Sequence, residues 1–176
     1  PIVSYLFLKG KCSNCSNPIS ITYPLVELTT ALVTLLLYMN YWLNWELIVT
    51  IALFYTLIVL SLIDLKYKAV PDYLLIVAVI LAILVGDLMY ILIFAGGFAL
   101  LELVITFYIQ NVKAKITKNK ELETQSALGE GDIPIAGVIG GLLGLHLGIS
   151  AIFLATLLGL LLSIYNLLSK KEIETP

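Results

Sequence analysis

The sequence predicts an all-α, polytopic transmembrane helical bundle, and three observations support this fold class. Sixty per cent of the 176 residues are hydrophobic and only 12% are charged. The mean hydropathy is +1.03, whereas soluble domains are only about half apolar. Several segments also approach the ~20 apolar residues that a membrane-spanning helix needs. We therefore expect the lipid bilayer to be the main solvent and a partner of this chain.

The apolar segments predict about six spans, at residues 22–43, 46–63, 72–87, 89–111, 133–147 and 149–168. The third and fifth are short, and they require a thin local bilayer, little tilt or burial among neighbouring helices. We predict a cytoplasmic, cysteine-containing segment at 1–21 ahead of a transmembrane domain at 22–168. Within and after that domain we predict a polar cytoplasmic loop at 112–131 and a cytoplasmic tail at 169–176.

The lysines orient the chain in the membrane. All ten basic residues are Lys, and six spans place every one of them on the same face, which the positive-inside rule identifies as cytoplasmic. The first connection on the opposite face carries Trp42 and Trp45, as expected of an interfacial aromatic belt. A net charge of -2 with dispersed lysines does not indicate nucleic-acid binding.

The N-terminal segment, PIVSYLFLKGKC, has no initiator Met, basic n-region or small-residue cleavage site. We interpret the chain as truncated or processed, without a signal peptide. Cys12 and Cys15 follow with CxxC spacing, which suits either a redox pair or half of a tetrahedral zinc site. The spacing alone does not choose between these alternatives.

Two acidic residues flank the connection between the second and third spans. Asp64 lies at the C-terminal end of a predicted helix, where the helix dipole disfavours an anion, so its position favours a functional explanation. Asp72 follows Pro71 at the start of the next helix, where the dipole favours a carboxylate. Asp72 therefore has a sufficient structural role and is only a reserve candidate for catalysis.

A second acidic boundary, Gly129-Glu130-Gly131-Asp132, precedes the fifth span. Flanking glycines permit backbone conformations that other residues avoid and allow a peptide to approach closely. The glycines of the following span, Gly137, Gly140, Gly141 and Gly144, form small-residue surfaces that allow tight helix packing. This packing is expected to bring Asp64 and Asp132 together.

Two neighbouring carboxylates can hydrolyse a peptide without a metal ion. One is ionised and takes a proton from water, while its protonated partner polarises the scissile carbonyl, and repulsion between like charges enforces this sharing of one proton. Asp64 and Asp132 at a wet membrane boundary are the candidates for such a pair.

Three motifs occur in order along the chain: the stretch Ser4–Glu27, the segment Asp64–Asp72 ending in Val-Pro-Asp, and Gly129-Glu130-Gly131-Asp132. Together they resemble the bacterial prepilin peptidases, or type IV leader peptidases, of the GxGD class of membrane aspartic proteases. A lone GxGD arises easily by chance, whereas the ordered set in a polytopic protein is specific.

The resemblance implies that Asp64 and Asp132 are the catalytic pair of an aspartic endopeptidase, with Gly129, Gly131 and Asp72 supporting the catalytic loop. Its substrates would be type IV prepilins and the related pseudopilins of type II secretion. Cleavage would follow the short basic leader, at the cytoplasmic face of the bacterial inner membrane. Proteolysis would need no cofactor. Family members often also methylate the new N-terminus with S-adenosylmethionine, an activity associated with the cysteine-bearing region.

Two other functions stay open from the sequence. In a transporter or channel, Asp64, Glu102 and Asp132 would line a proton or cation path, with polar groups at successive depths. Glu102 lies well inside the fourth span, and we expect it, like Glu27, to face the bundle, be protonated or pair with a polar group. A noncatalytic pilus-assembly scaffold would need neither aspartate. His146, the only His, falls on the face opposite the aspartates, so no Ser-His triad forms at the cytoplasmic site.

Overall fold

The computed structural model of the protein describes residues 2–41, 43–117, 126, 128–129 and 131–168. The regular elements in these ranges are helices, and an isolated bridge joins Lys11 to Pro18. The predicted all-α class is therefore confirmed. Half of the predicted loop at 112–131 and the whole tail at 169–176 lie outside the described residues.

Helices make up most of the described residues. In chain order they are α1 (Ile2–Phe7), α2 (Thr22–Asn40), α3 (Trp45–Tyr67), α4 (Asp72–Val85), α5 (Leu88–Tyr108), a π-helical segment (Ile109–Lys113), α6 (Ala114–Thr117) and α7 (Asp132–Leu168).

Four described stretches are long and apolar enough to cross a membrane: α2, α3, Leu88–Ile116 and Asp132–Tyr165. Helix α4, the third predicted span, is apolar but has only 14 residues. The fifth and sixth predicted spans both lie within α7, which is kinked at Gly144. Residues 112–117, predicted to begin a loop, are helical because the π-helical segment carries α5 directly into α6 and Ala114 is buried.

The chain forms two compact units, Pro1–Val59 and Leu60–Pro176. In the first unit, α1 packs against α2. The Glu27 carboxylate accepts a hydrogen bond from the Ile2 N–H at 2.7 Å, and the Thr34 and Tyr55 hydroxyls lie 2.8 Å apart. Glu27 is thus paired with a polar group, as expected for an acid within an apolar helix.

The second unit contains α4, α5 and α7, and α7 packs against both other helices. A Cβ atom built on Gly140 or Gly141 would overlap the side chains of Phe94 and Ile91 of α5. The predicted tight packing at these glycines is confirmed, because only a hydrogen atom fits there. Their partner is α5, however, so they do not bring α7 against the helix that carries Asp64.

The kink in α7 coincides with a close approach of two backbones. Gly144 has φ 70° and ψ −172°, a conformation that glycine adopts without a Cβ clash. Such a break frees carbonyl groups of the preceding helical turn, and the Gly141 carbonyl accepts a hydrogen bond from the Asp87 N–H at 3.0 Å. The turn between α4 and α5 therefore caps the first half of α7.

Gly86 allows this approach, and Gly86→Ala is expected to destabilise the protein by about 1–3 kcal/mol. A Cβ at this position would lie 2.8 Å from two backbone oxygens, those of Ala82 and Gly141. The measurement is the free energy of unfolding in detergent. Gly96→Ala is the control, because a Cβ there meets nothing within 4 Å. Equal stability of the two variants would contradict the prediction.

Candidate functional site

Asp64 lies in the last turn of α3, at the helix end predicted from the sequence. The Lys68 N–H donates a hydrogen bond to the Asp64 carbonyl at 2.7 Å, and Lys68 has φ 50°. This is the left-handed termination that usually uses glycine, and a lysine there costs about 1–2 kcal/mol. The Asp64 side chain is exposed. The chain therefore turns sharply after α3 while the carboxylate faces outward.

Asp72 is the first residue of α4, and Pro71 immediately precedes the helix. The Pro71 carbonyl accepts a hydrogen bond from the Leu75 N–H at 3.3 Å. Asp72 thus stands where the positive end of the helix dipole favours an anion. The predicted helix-start position is confirmed, and its support of a catalytic loop stays a prediction.

Asp132 is the first residue of α7 and is bonded twice to Gly129. The Asp132 N–H donates to the Gly129 carbonyl at 3.0 Å, and the Asp132 Oδ2 accepts from the Gly129 N–H at 3.1 Å. The second bond resembles the backward bond of a capping box. It orients the carboxylate of this exposed residue through one of its two oxygens.

Neither glycine of this turn has a backbone conformation that requires glycine. Positive φ angles among the described glycines occur at Gly10 and Gly144, so Gly129 and Gly131 do not use the backbone freedom expected from the sequence. A Cβ on Gly131 would instead lie 3.4 Å from the Val70 side chain, and one on Gly129 would lie 3.4 Å from the Asp132 Oδ2. These are ordinary van der Waals distances, so alanine fits without strain at either position.

The contact between Val70 and Gly131 brings together the two segments that carry the candidate aspartates. Val70 lies in the short link after Asp64, and Gly131 immediately precedes Asp132. Both carboxylates are exposed, and within the described residues they make no hydrogen bond to each other. Val70 belongs to the Val-Pro-Asp motif, which indicates a helix start and the family resemblance but does not by itself predict a contact with Gly131.

Comparison with known proteins decides the family. A profile described as the type IV leader peptidase family matches residues 50–164, and one described as the bacterial peptidase A24 N-terminal domain matches residues 1–41. The chain belongs to the type IV leader peptidase family. The resemblance drawn from the three ordered motifs is therefore confirmed.

Relatives in this family carry the name prepilin leader peptidase/N-methyltransferase. That of Neisseria gonorrhoeae is 30% identical over 97% of this chain and 58% of its own length. That of Pseudomonas aeruginosa is 30% identical over 100% of this chain and 60% of its own length. That of Bacillus subtilis is 30% identical over 92% of this chain and 61% of its own length. The chain thus spans about three fifths of these relatives. No solved structure gives a significant match.

The cysteines of this leader peptidase family member lie in a small hairpin. The Cys12 N–H donates to the Asn17 carbonyl at 2.9 Å, and the Ile19 N–H donates to the Gly10 carbonyl at 2.8 Å. Cys12 is half-buried, Cys15 is exposed, and both are free thiols. Backbone N–H groups of Cys15 and then Asn14, followed by the Cys15 side chain, lower the pKa of the Cys12 thiol.

This lowered pKa predicts faster alkylation of Cys12 in the folded protein. A Cys15→Ser variant isolates Cys12 and keeps the backbone N–H of residue 15, the largest cause of the shift. We expect the midpoint of its iodoacetamide reaction to fall below the value of about 8.5 of a free thiol, because hydrogen bonds to sulfur stabilise the thiolate. Urea unfolding should return the midpoint to that value. Identical midpoints in folded and unfolded protein would contradict the assignment.

Proposed function

We propose that the protein is a membrane aspartic endopeptidase that removes the leader peptide from type IV prepilins and related pseudopilins. The single observation that carries this proposal is the contact of Val70 with Gly131, which places the Asp64 and Asp132 segments at one end of the second unit. Membership of a leader peptidase family supports the substrate class. The lysine distribution favours a site at the cytoplasmic face of the inner membrane.

The proposed mechanism uses one proton between two carboxylates. The ionised aspartate removes a proton from a water molecule, whose oxygen attacks the scissile carbonyl carbon, while the protonated aspartate donates to the carbonyl oxygen. Proton transfer to the leaving nitrogen then breaks the C–N bond and yields one acid and one amine. The Gly129 N–H holds Asp132 by one oxygen, so its other oxygen is the one proposed to contact water or substrate.

Closure of the pair is the conformational step of this mechanism. The carboxylates are exposed and not bonded to each other, so a shared proton requires them to approach when substrate binds. The left-handed Lys68 lies within the link between Asp64 and Val70. We propose that this link carries the motion, since strained backbone positions concentrate at functional sites.

The cysteine hairpin fits half of a structural zinc site. Cys12 and Cys15 present two thiols from one turn, and the lowered pKa of Cys12 favours the thiolate that zinc binds. Tetrahedral zinc needs two further ligands, and the described residues contain no group of three or more His, Cys, Asp or Glu able to hold a metal. We propose that zinc binds at this pair with two further ligands, and that methylation of the new N-terminus with S-adenosylmethionine accompanies proteolysis.

The proposed function is tested by incubating the full-length protein with a purified prepilin in detergent. Mass spectrometry is expected to show a shortened prepilin with a single new N-terminus, together with the released leader. To test the transporter alternative, the same protein is reconstituted in liposomes and its proton uptake is measured under a pH gradient. An intact prepilin in the presence of folded protein, with proton uptake in the liposomes, would establish the transporter instead.

A further inference from the structure

Glu102 is an acidic residue of α5 on the covered side of that helix. It is half-buried, while its neighbours Leu101 and Leu103 are 48% and 65% exposed. Thr106 and Gln110 are also half-buried and follow at intervals of about one helical turn. A polar stripe therefore runs along α5 on the side away from lipid.

The contacts between α5 and α7 define how the two helices are aligned. A Cβ on Gly137 would lie 3.2 Å from the Ala95 Cβ, and one on Gly141 would overlap Ile91. Residues later in α5 thus contact residues earlier in α7, so the two helices are antiparallel. Both helices are regular between these contacts and the residues of interest, since the kink lies beyond them at Gly144.

This alignment places Glu102 at the level of Asp132. With a rise of about 1.5 Å per residue, Glu102 lies about 10 Å beyond Ala95 and Asp132 about 8 Å beyond Gly137, in the same direction. Seven residues are nearly two turns, so Glu102 projects from the same side of α5 as Ala95. Glu102 and Asp132 therefore lie at similar levels along this helix pair.

The chemistry of this position favours a cation. Within the described residues, the Glu102 carboxylate makes no hydrogen bond or ion pair. Lys113 of the π-helical segment is three turns further along, about 16 Å away along the helix. A carboxylate at the edge of an apolar helix pair is costly unless it is protonated or paired, and the start of α7 opposite it favours negative charge.

We propose that Glu102 is a specificity-determining residue that binds a Lys or Arg side chain of the substrate peptide beside the aspartate pair. The assignment rests on the proposed peptidase function and adds a charged subsite to it. A cation in the substrate neutralises the half-buried carboxylate and places the peptide at the level of Asp132. Substrates without a cation at the matching position lose this contact and bind less tightly.

The test measures kcat and KM of the wild-type enzyme and of Glu102→Gln. The substrates are a prepilin and its variants, each with one Lys or Arg near the scissile bond replaced by Gln. Loss of a charge-assisted hydrogen bond predicts a rise in KM of about tenfold for Glu102→Gln, with kcat within about threefold of wild type. One substrate variant should raise KM equally with the wild-type enzyme and cause no further rise with Glu102→Gln. Glu102→Lys with the matching substrate Lys→Glu should recover most of the lost affinity.

Glu46→Gln is the matched control, because it removes one negative charge at the end of α3 opposite Asp64. It should leave both kinetic constants unchanged. An unchanged KM for Glu102→Gln would overturn the assignment. A rise in KM that is the same for every substrate charge variant would also overturn it, because it would indicate that Glu102 pairs with a group of the protein itself. Absence of cleavage by the wild-type enzyme would overturn the proposed function itself and the subsite with it.

Discussion

Replacing Asp64 or Asp132 by Asn is expected to lower kcat for prepilin cleavage by about 10²–10⁴-fold, the contribution of a positioned acid or base. Asn keeps the size of the side chain and its ability to accept the hydrogen bond from the Gly129 N–H. It cannot exchange a proton, so the pair can no longer activate water and polarise the carbonyl together. The measurement is the initial rate of leader release from a prepilin by full-length protein.

The double variant should be scarcely slower than either single variant, because residues that act as a unit are not additive. Asp87→Asn is the control. Its carboxylate caps α5 by accepting from the Met89 N–H at 2.8 Å, and Asn is an equally good capping residue. Normal cleavage by either folded single variant would show that the pair is assigned incorrectly.

Gly140→Leu is expected to have the largest effect on stability, a loss of about 3 kcal/mol or more. A Cβ alone would overlap Phe94, whose Cβ would lie only 2.8 Å away, so the ring cannot simply rotate aside. The α5 and α7 backbones must separate, and the Gly131–Val70 contact lies at the end of the same helix. We expect a lower midpoint of thermal unfolding in detergent and a loss of prepilin cleavage.

A second substitution separates steric overlap from a general effect of leucine. Phe94→Ala removes the ring that the new side chain meets, so Gly140→Leu with Phe94→Ala should be more stable than the sum of the two single changes predicts. Gly97→Ala tests the background, because a Cβ there meets nothing within 4 Å. Helix propensity makes that change neutral or slightly stabilising. Strict additivity of the two substitutions would contradict the packing described for α5 and α7.

The helix boundaries at the site were largely predictable, because local signals determine them. Pro71 and Asp72 begin α4 as expected, and Asp64 lies in the last turn of α3. The span boundaries were less accurate where tertiary contacts override composition. α5 continues through a π-helical segment into residues predicted as a loop, and α7 breaks at Gly144 rather than at Gly148, between the two predicted spans.

The sequence by itself determined the fold class, the family, and the two acidic boundaries, because hydropathy, lysine distribution and ordered motifs are local or summed properties of the chain. Only the tertiary structure decided which surfaces meet. The glycines of α7 contact α5, Gly131 contacts Val70, and the alignment of α5 with α7 brings Glu102 to the level of Asp132. Glycines allow several faces of a helix to pack closely against another helix. Which face does so depends on side chains of complementary shape on a partner helix that is distant in sequence.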